Sequence, residues 1–245
     1  MRSGNPALND RTFEQFNVYN SVQTMTIEGT ATKTGMLLVL TVAAAAITWN
    51  QFLNQNPIVT PVMIGGFIVG LIFAIVTCFK PTWSPITSPI YAVAEGLALG
   101  GLSAIVESRY PGIAFQAVSL TFGTLFALLI VYRAGWIRAT EKFKLGVVAA
   151  TGGICLVYIV SLVLNLFGAA FPYIHGSGPI GIGFSLFVVV IAALNLVLDF
   201  DFIEQGATRG APKYMEWYGA FGLMVTLIWL YIEILRLVTK LRGRD

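Results

Sequence analysis

An all-α fold, a bundle of seven transmembrane helices, is what this sequence predicts, and three observations predict it. Hydrophobic residues make up 56% of the 245 and charged residues only 11%, where a soluble domain carries about 25% charged residues. Mean hydropathy is +0.78. Apolar runs recur seven times along the chain, each close to the roughly 17–25 residues that cross a hydrocarbon layer as a helix.

The spans read in order as 34–52, 60–79, 87–106, 113–132, 145–167, 180–200 and 217–237. Before them, residues 1–33 form a polar segment with scattered Phe13, Phe16 and Val18. That segment lacks the short apolar core and small-residue cleavage site of a signal peptide, so the first span is expected to act as its own insertion signal. Span two carries Gly66 and Gly70, and span three Gly96 and Gly100; small residues four apart let membrane helices approach closely. Pro81, Pro85 and Pro89 bracket the entry to span three, and Pro111 separates it from span four, since proline lacks a backbone donor and ends helices. Cys78 in span two and Cys155 in span five read as small buried apolar side chains. The connection 168–178 holds the one histidine, His175, which reads as a solvated loop residue. Residues 238–245 are a basic tail. With connections this short, residues 34–237 are expected to be one bundle with no second domain.

Orientation follows from lysine and arginine, which favour the cytoplasmic side. The side shared by the N-terminus and the loops after spans two, four and six collects Arg2, Arg11, Lys33, Lys80, Arg133, Arg138, Lys142, Lys144, Arg209 and Lys213. The other side has Arg109 and the tail cations Arg236, Lys240, Arg242 and Arg244. The bias predicts a cytoplasmic N-terminus and an external C-terminus. The basic tail pulls the other way, and a re-entrant segment leaving six true spans would put it inside. These flanking cations account for the net charge of +3, and the bilayer rather than nucleic acid is the expected partner.

Acidic residues near hydrocarbon are costly and mark functional candidates. Asp199 and Asp201 sit in Leu198-Asp199-Phe200-Asp201-Phe202, where span six runs into its loop. Asn195 and Asp199 are four apart and share a helix face, whereas Asp199 and Asp201 point about 200° apart, so Asp199 is the better candidate to face the bundle. Glu95 lies about 12 Å into span three at 1.5 Å per residue, and Glu216 starts span seven at a similar level. Three helices are thus expected to pool carboxylates near one mouth, with Arg133 or Arg138 as counter-charge. Along span seven, Gly219, Gly222, Thr226, Trp229 and Glu233 fall within about 80° and mark its inward face. Glu204, Glu107 and Glu216 also suit a solvated or helix-terminal role, an acid in a first turn being favoured by the helix dipole. Carboxylates that cluster and lose water hold protons more tightly, which is the chemistry of a pH sensor.

Several chemistries are excluded. A His-Glu-x-x-His metalloprotease needs two histidines, an intramembrane serine protease needs a base beside its nucleophile, and a Schiff-base retinal protein needs a lysine inside span seven. Ion or proton movement, transport, or a scaffold remains.

Together, Ser3-Gly4-Asn5-Pro6 before Thr12-Phe13, the run 91–103 with Glu95-Gly96, Leu198-Asp199-Phe200, Glu216-Trp217-Tyr218 and Trp229-Leu230-Tyr231-Ile232-Glu233-Ile234-Leu235-Arg236-Leu237 resemble the Bax inhibitor-1 family, in its YccA-type bacterial branch. The resemblance covers nearly the whole chain. It implies helices arranged around a central one, residence in the bacterial cytoplasmic membrane, and a pH-sensitive calcium leak in which an aspartate of helix six pairs with one of helix seven. Asp199 matches the first aspartate. Thr226 stands where the second is expected, leaving Glu95, Asp201 or Glu216 as substitutes.

The leading expectation is therefore a cation leak that is not an enzyme and carries no cofactor, calcium being the permeant ion because its ligands are hard oxygens. The alternative is a scaffold that regulates a membrane-protein partner such as a protease or stress machinery. A proton-coupled permease ranks third, since the internal repeats of that class are not apparent.

Overall fold

The computed structural model describes residues 24–168 and 176–243. Seven long helices carry the fold: α1 (Ile27–Leu53), α2 (Val59–Phe79), α3 (Ser84–Arg109), α4 (Ile113–Arg133), α5 (Glu141–Leu166), α6 (Pro179–Thr208) and α7 (Met215–Arg242). A 3₁₀ turn, Pro81–Trp83, leads into α3. All seven are long and apolar enough to cross a membrane, in line with the seven-helix reading. His175 and Arg244 lie outside the described residues, as do the sequence features before Thr24.

Local chemistry sets the helix ends. Thr26 caps α1, its hydroxyl accepting from Gly29 N at 2.9 Å, and Thr140 caps α5 by accepting from Phe143 N. Each hydroxyl satisfies one of the donors that a helix start leaves open. Gly112 enters α4 at φ +84°, a conformation that favours glycine. Glu107, at the end of α3, accepts from Gly112 N and from Ala114 N at 2.9 Å, so it caps α4 and makes no ion pair with Arg109 among the described residues. Pro85 and Pro89 do not stop α3. They fall in its first two turns, where few intrahelical donors are lost.

The interior is built around α7, which packs against α1, α3, α4 and α6. Together with α3 it is the most buried helix, while α5 packs chiefly on α6 at the periphery. Glycines allow this closeness. A Cβ on Gly96 would stand 2.4 Å from Thr41 O, one on Gly100 2.2 Å from Ala45 O, and one on Gly66 2.6 Å from Ala94 O. Leu196, Phe200, Leu223, Leu227 and Leu230 fill the α6–α7 core, and Tyr91 meets Phe221 edge-on at 5.1 Å between α3 and α7.

Two features differ from the sequence reading. Cys78 and Cys155 are exposed, on the outer face of a bundle whose lipid-facing surface is as apolar as its interior. Helix α6 does not end near Phe200 but continues two turns to Thr208, which puts Asp199, Asp201 and Glu204 inside one continuous helix.

Candidate functional site

Asp199 projects from α6 toward α7 at Gly222 and Thr226. A Cβ on Gly222 would stand 4.0 Å from Asp199 Oδ1, ordinary contact distance, so the carboxylate lies against this turn of α7. Thr226 is its polar neighbour on α7 and is itself buried. The other oxygen, Oδ2, is buried with no hydrogen-bond partner among the described residues. No cation pairs with Asp199 among those residues. A carboxylate so placed is a poorly compensated charge inside the bundle, because removal from water is costly unless hydrogen bonds or an opposite charge replace it.

The neighbouring polar residues turn elsewhere. Asp201 pairs with Lys144 of α5 at 2.9 Å and accepts from Gln205 Nε2. Lys144 also reaches Glu141 at 3.3 Å, so the counter-charge on this face is Lys144 rather than Arg133 or Arg138. Asn195 spends its amide donors on Thr151 Oγ1 of α5, at 2.9 Å, and on Ile191 O, at 2.8 Å; it ties α6 to α5 while Asp199 meets α7. Glu204 accepts from the Tyr132 hydroxyl. Arg133, Arg138, Asp201 and Glu204 line a cavity of about 810 Å3 between α1, α4 and α6.

Glu95 and Glu216 do not join Asp199. Glu95 is buried against α2, where a Cβ on Gly70 would fall 2.4 Å from its Oε1. Glu216 is fully buried and reaches the start of α1: Oε1 accepts from Thr26 N at 3.0 Å and from Thr26 Oγ1 at 2.8 Å. Lys213 lies 2.8 Å and Lys33 3.6 Å from the same carboxylate. It therefore holds α1 to α7 by acting as a remote cap. The pooling of acids at one mouth is not what forms: among the described residues no three histidine, cysteine or acidic side chains are placed to share a metal ion. The reason is angular, since Glu95 leaves α3 on the side facing α2, and Glu216 leaves α7 toward α1.

At the other end of α7, Glu233 accepts from Tyr158 at 2.9 Å and from Arg236 at 2.9 and 3.1 Å. Lys240 donates to Gly181 O and Ser185 Oγ of α6.

The Bax inhibitor 1 like family model matches residues 5–243. The chain belongs to the Bax inhibitor-1-like family. No curated protein and no solved structure matches it. Family membership and seven apolar helices make it an integral membrane protein, with the all-α bundle expected of a Bax inhibitor-1-like chain. The neighbour of Asp199 on helix seven is Thr226. Nothing in the sequence alone marks Lys144, Thr26, Lys33 or Tyr158 as partners of these acids. All four come from stretches of sequence remote from the acid they serve, and only the i,i+3 spacing of Lys213 and Glu216 was a readable signal.

Proposed function

We propose that this Bax inhibitor-1-like protein is a cation leak of the bacterial cytoplasmic membrane, with its N-terminus inside and its C-terminus outside, and that Asp199 is the charge that admits the ion. The observation that carries this reading is the buried Asp199 Oδ2 without a partner among the described residues, facing Gly222 and Thr226 of α7. Calcium suits the oxygen donors. One carboxylate and one hydroxyl make a sparse ligand set, which fits conduction, where an ion must leave as readily as it enters.

The sign of the pH response follows from charge. The groups facing Asp199 from α7 are Gly222 and Thr226, neither of which titrates, and on α6 Asn195 is engaged with α5 and Asp201 with Lys144. Protonation of Asp199 removes the one local negative charge, letting α6 and α7 close without an uncompensated ion and leaving nothing to attract a cation. Flux should therefore fall as pH falls.

Calcium flux into proteoliposomes between about pH 6 and 8, a range bracketing physiological titration, tests this. Wild type should conduct more at the alkaline end. Asp199→Asn should conduct little at any pH, and Asp201→Asn should keep the wild-type profile. Equal, pH-independent traces for wild type and Asp199→Asn would sink the gating reading. Absence of flux together with a stable co-purifying membrane protein would instead favour a scaffold acting on another membrane complex such as a protease or stress machinery.

A further inference from the structure

Helices α1 and α4 both pack on α7 and face the same side of the bundle, yet they share no substantial interface with each other. Between them lie two cavities. One, of about 480 Å3, is lined with apolar side chains including Trp49, Val118 and Phe122. The other, of about 810 Å3, carries Phe126, Tyr132, Arg133 and Arg138. They share Leu38 and Phe122, so they form one seam along the α1–α4 side. From Arg133 to Ala114, which lines the far end, α4 rises about 28 Å at 1.5 Å per residue, close to the roughly 30 Å of a hydrocarbon core. Each chamber falls in the roughly 300–1,000 Å3 range of ligand sites.

The two ends of the seam differ in chemistry. At one end Arg133 and Arg138 are exposed and in no ion pair among the described residues. The carboxylates beside them are already engaged, Asp201 by Lys144 and Glu204 by the Tyr132 hydroxyl. Trp136, 82% exposed in the same turn, marks headgroup depth, where tryptophan concentrates. Above this mouth the walls are apolar.

We propose that the α1–α4 seam binds one anionic phospholipid, its phosphate held by Arg133 and Arg138 and an acyl chain lying along Leu38 and Phe122. Guanidinium groups match phosphate geometry with paired donors, and basic pockets between membrane helices recognise lipid headgroups on the anionic leaflet. An apolar seam open to the bilayer provides for the chain. The site is separate from Asp199, which faces α7 on the other side of α6 from the cavity residue Asp201, so lipid binding stands or falls independently of ion flux.

Native mass spectrometry of the full-length protein, released from micelles containing phosphatidylglycerol or phosphatidylcholine with the same chains, is the test. Wild type should retain one phosphatidylglycerol and little phosphatidylcholine. Retention should drop about tenfold in Arg133→Gln/Arg138→Gln, as expected for loss of charge-assisted contacts, and persist in Arg133→Lys/Arg138→Lys. Val118→Trp, which fills the seam without touching the arginines, should also lose the lipid. Equal retention of the two lipids by wild type, or unchanged phosphatidylglycerol retention in the glutamine variant or in Val118→Trp, overturns the proposal. Should the glutamine variant fail to fold, the lipid preference of wild type and the Val118→Trp result still decide it.

Discussion

A Cβ on Gly29 would stand 2.0 Å from Glu216 Oε1, so the first turns of α1 and α7 meet with no space for a side chain between them. The carboxylate cannot swing away freely, because Thr26 and Lys213 hold the same oxygen. Gly29→Ala, which would gain helix propensity elsewhere, should here lower the thermal unfolding temperature of the detergent-solubilised protein. Glu216→Ala should destabilise by about 1.5–3 kcal/mol, the range for lost hydrogen bonds to a charged group. The two changes should be strongly non-additive, since the clash needs both residues. Additive effects would mean that Glu216 does not contact the start of α1.

Backbone contact makes Gly96 and Gly100 less forgiving. Their missing Cβ positions face Thr41 O and Ala45 O, atoms that move only if α1 and α3 separate. Gly96→Ala and Gly100→Ala should each cost about 1–3 kcal/mol, as overpacking does. Gly123→Ala and Gly152→Ala, which meet nothing within 4 Å, should be neutral or slightly stabilising in the same unfolding assay. Similar losses at all four sites would contradict the close α1–α3 crossing.

Thr226→Asp would place a second carboxylate opposite Asp199. Two acids at contact cannot both ionise readily and so share a proton. In the proteoliposome assay the variant should show a steeper pH dependence of calcium flux than wild type. A profile superimposable on wild type would show that position 226 does not communicate with the conducting site.

The seven spans were legible because a bilayer forces every spanning segment to declare itself by length and apolarity. The glycine pairs were legible too, since close helix crossings leave only small residues as options. Burial of Cys78 and Cys155 was misjudged because a small apolar side chain suits lipid and protein interior alike. The end of α6 was misplaced because Asp199, Asp201 and Glu204 look like a loop in one dimension; the helix persists as Lys144 and Tyr132, far off in sequence, receive two of those acids. The inward face of α7 at Gly222 and Thr226 was readable from helical periodicity, whereas Asn195, expected beside Asp199, turns to Thr151 of α5. Where each remaining acid finds its partner was not readable, since that depends on which side of its helix faces which neighbour.

The helix at the centre of the bundle is the seventh in chain order, with consequences for biosynthesis. Six helices are translated before the one they surround, and until then α4 and α6 lack the α7 surface on which they close, while α1, α2 and α3 can already pack on one another. Thr26 must likewise wait for Glu216, 190 residues later. Insertion of α7 is therefore a closing step at the end of synthesis, and a ribosome stalled before it would leave α1, α2 and α3 packed together without the helix that chiefly joins them to α4 and α6.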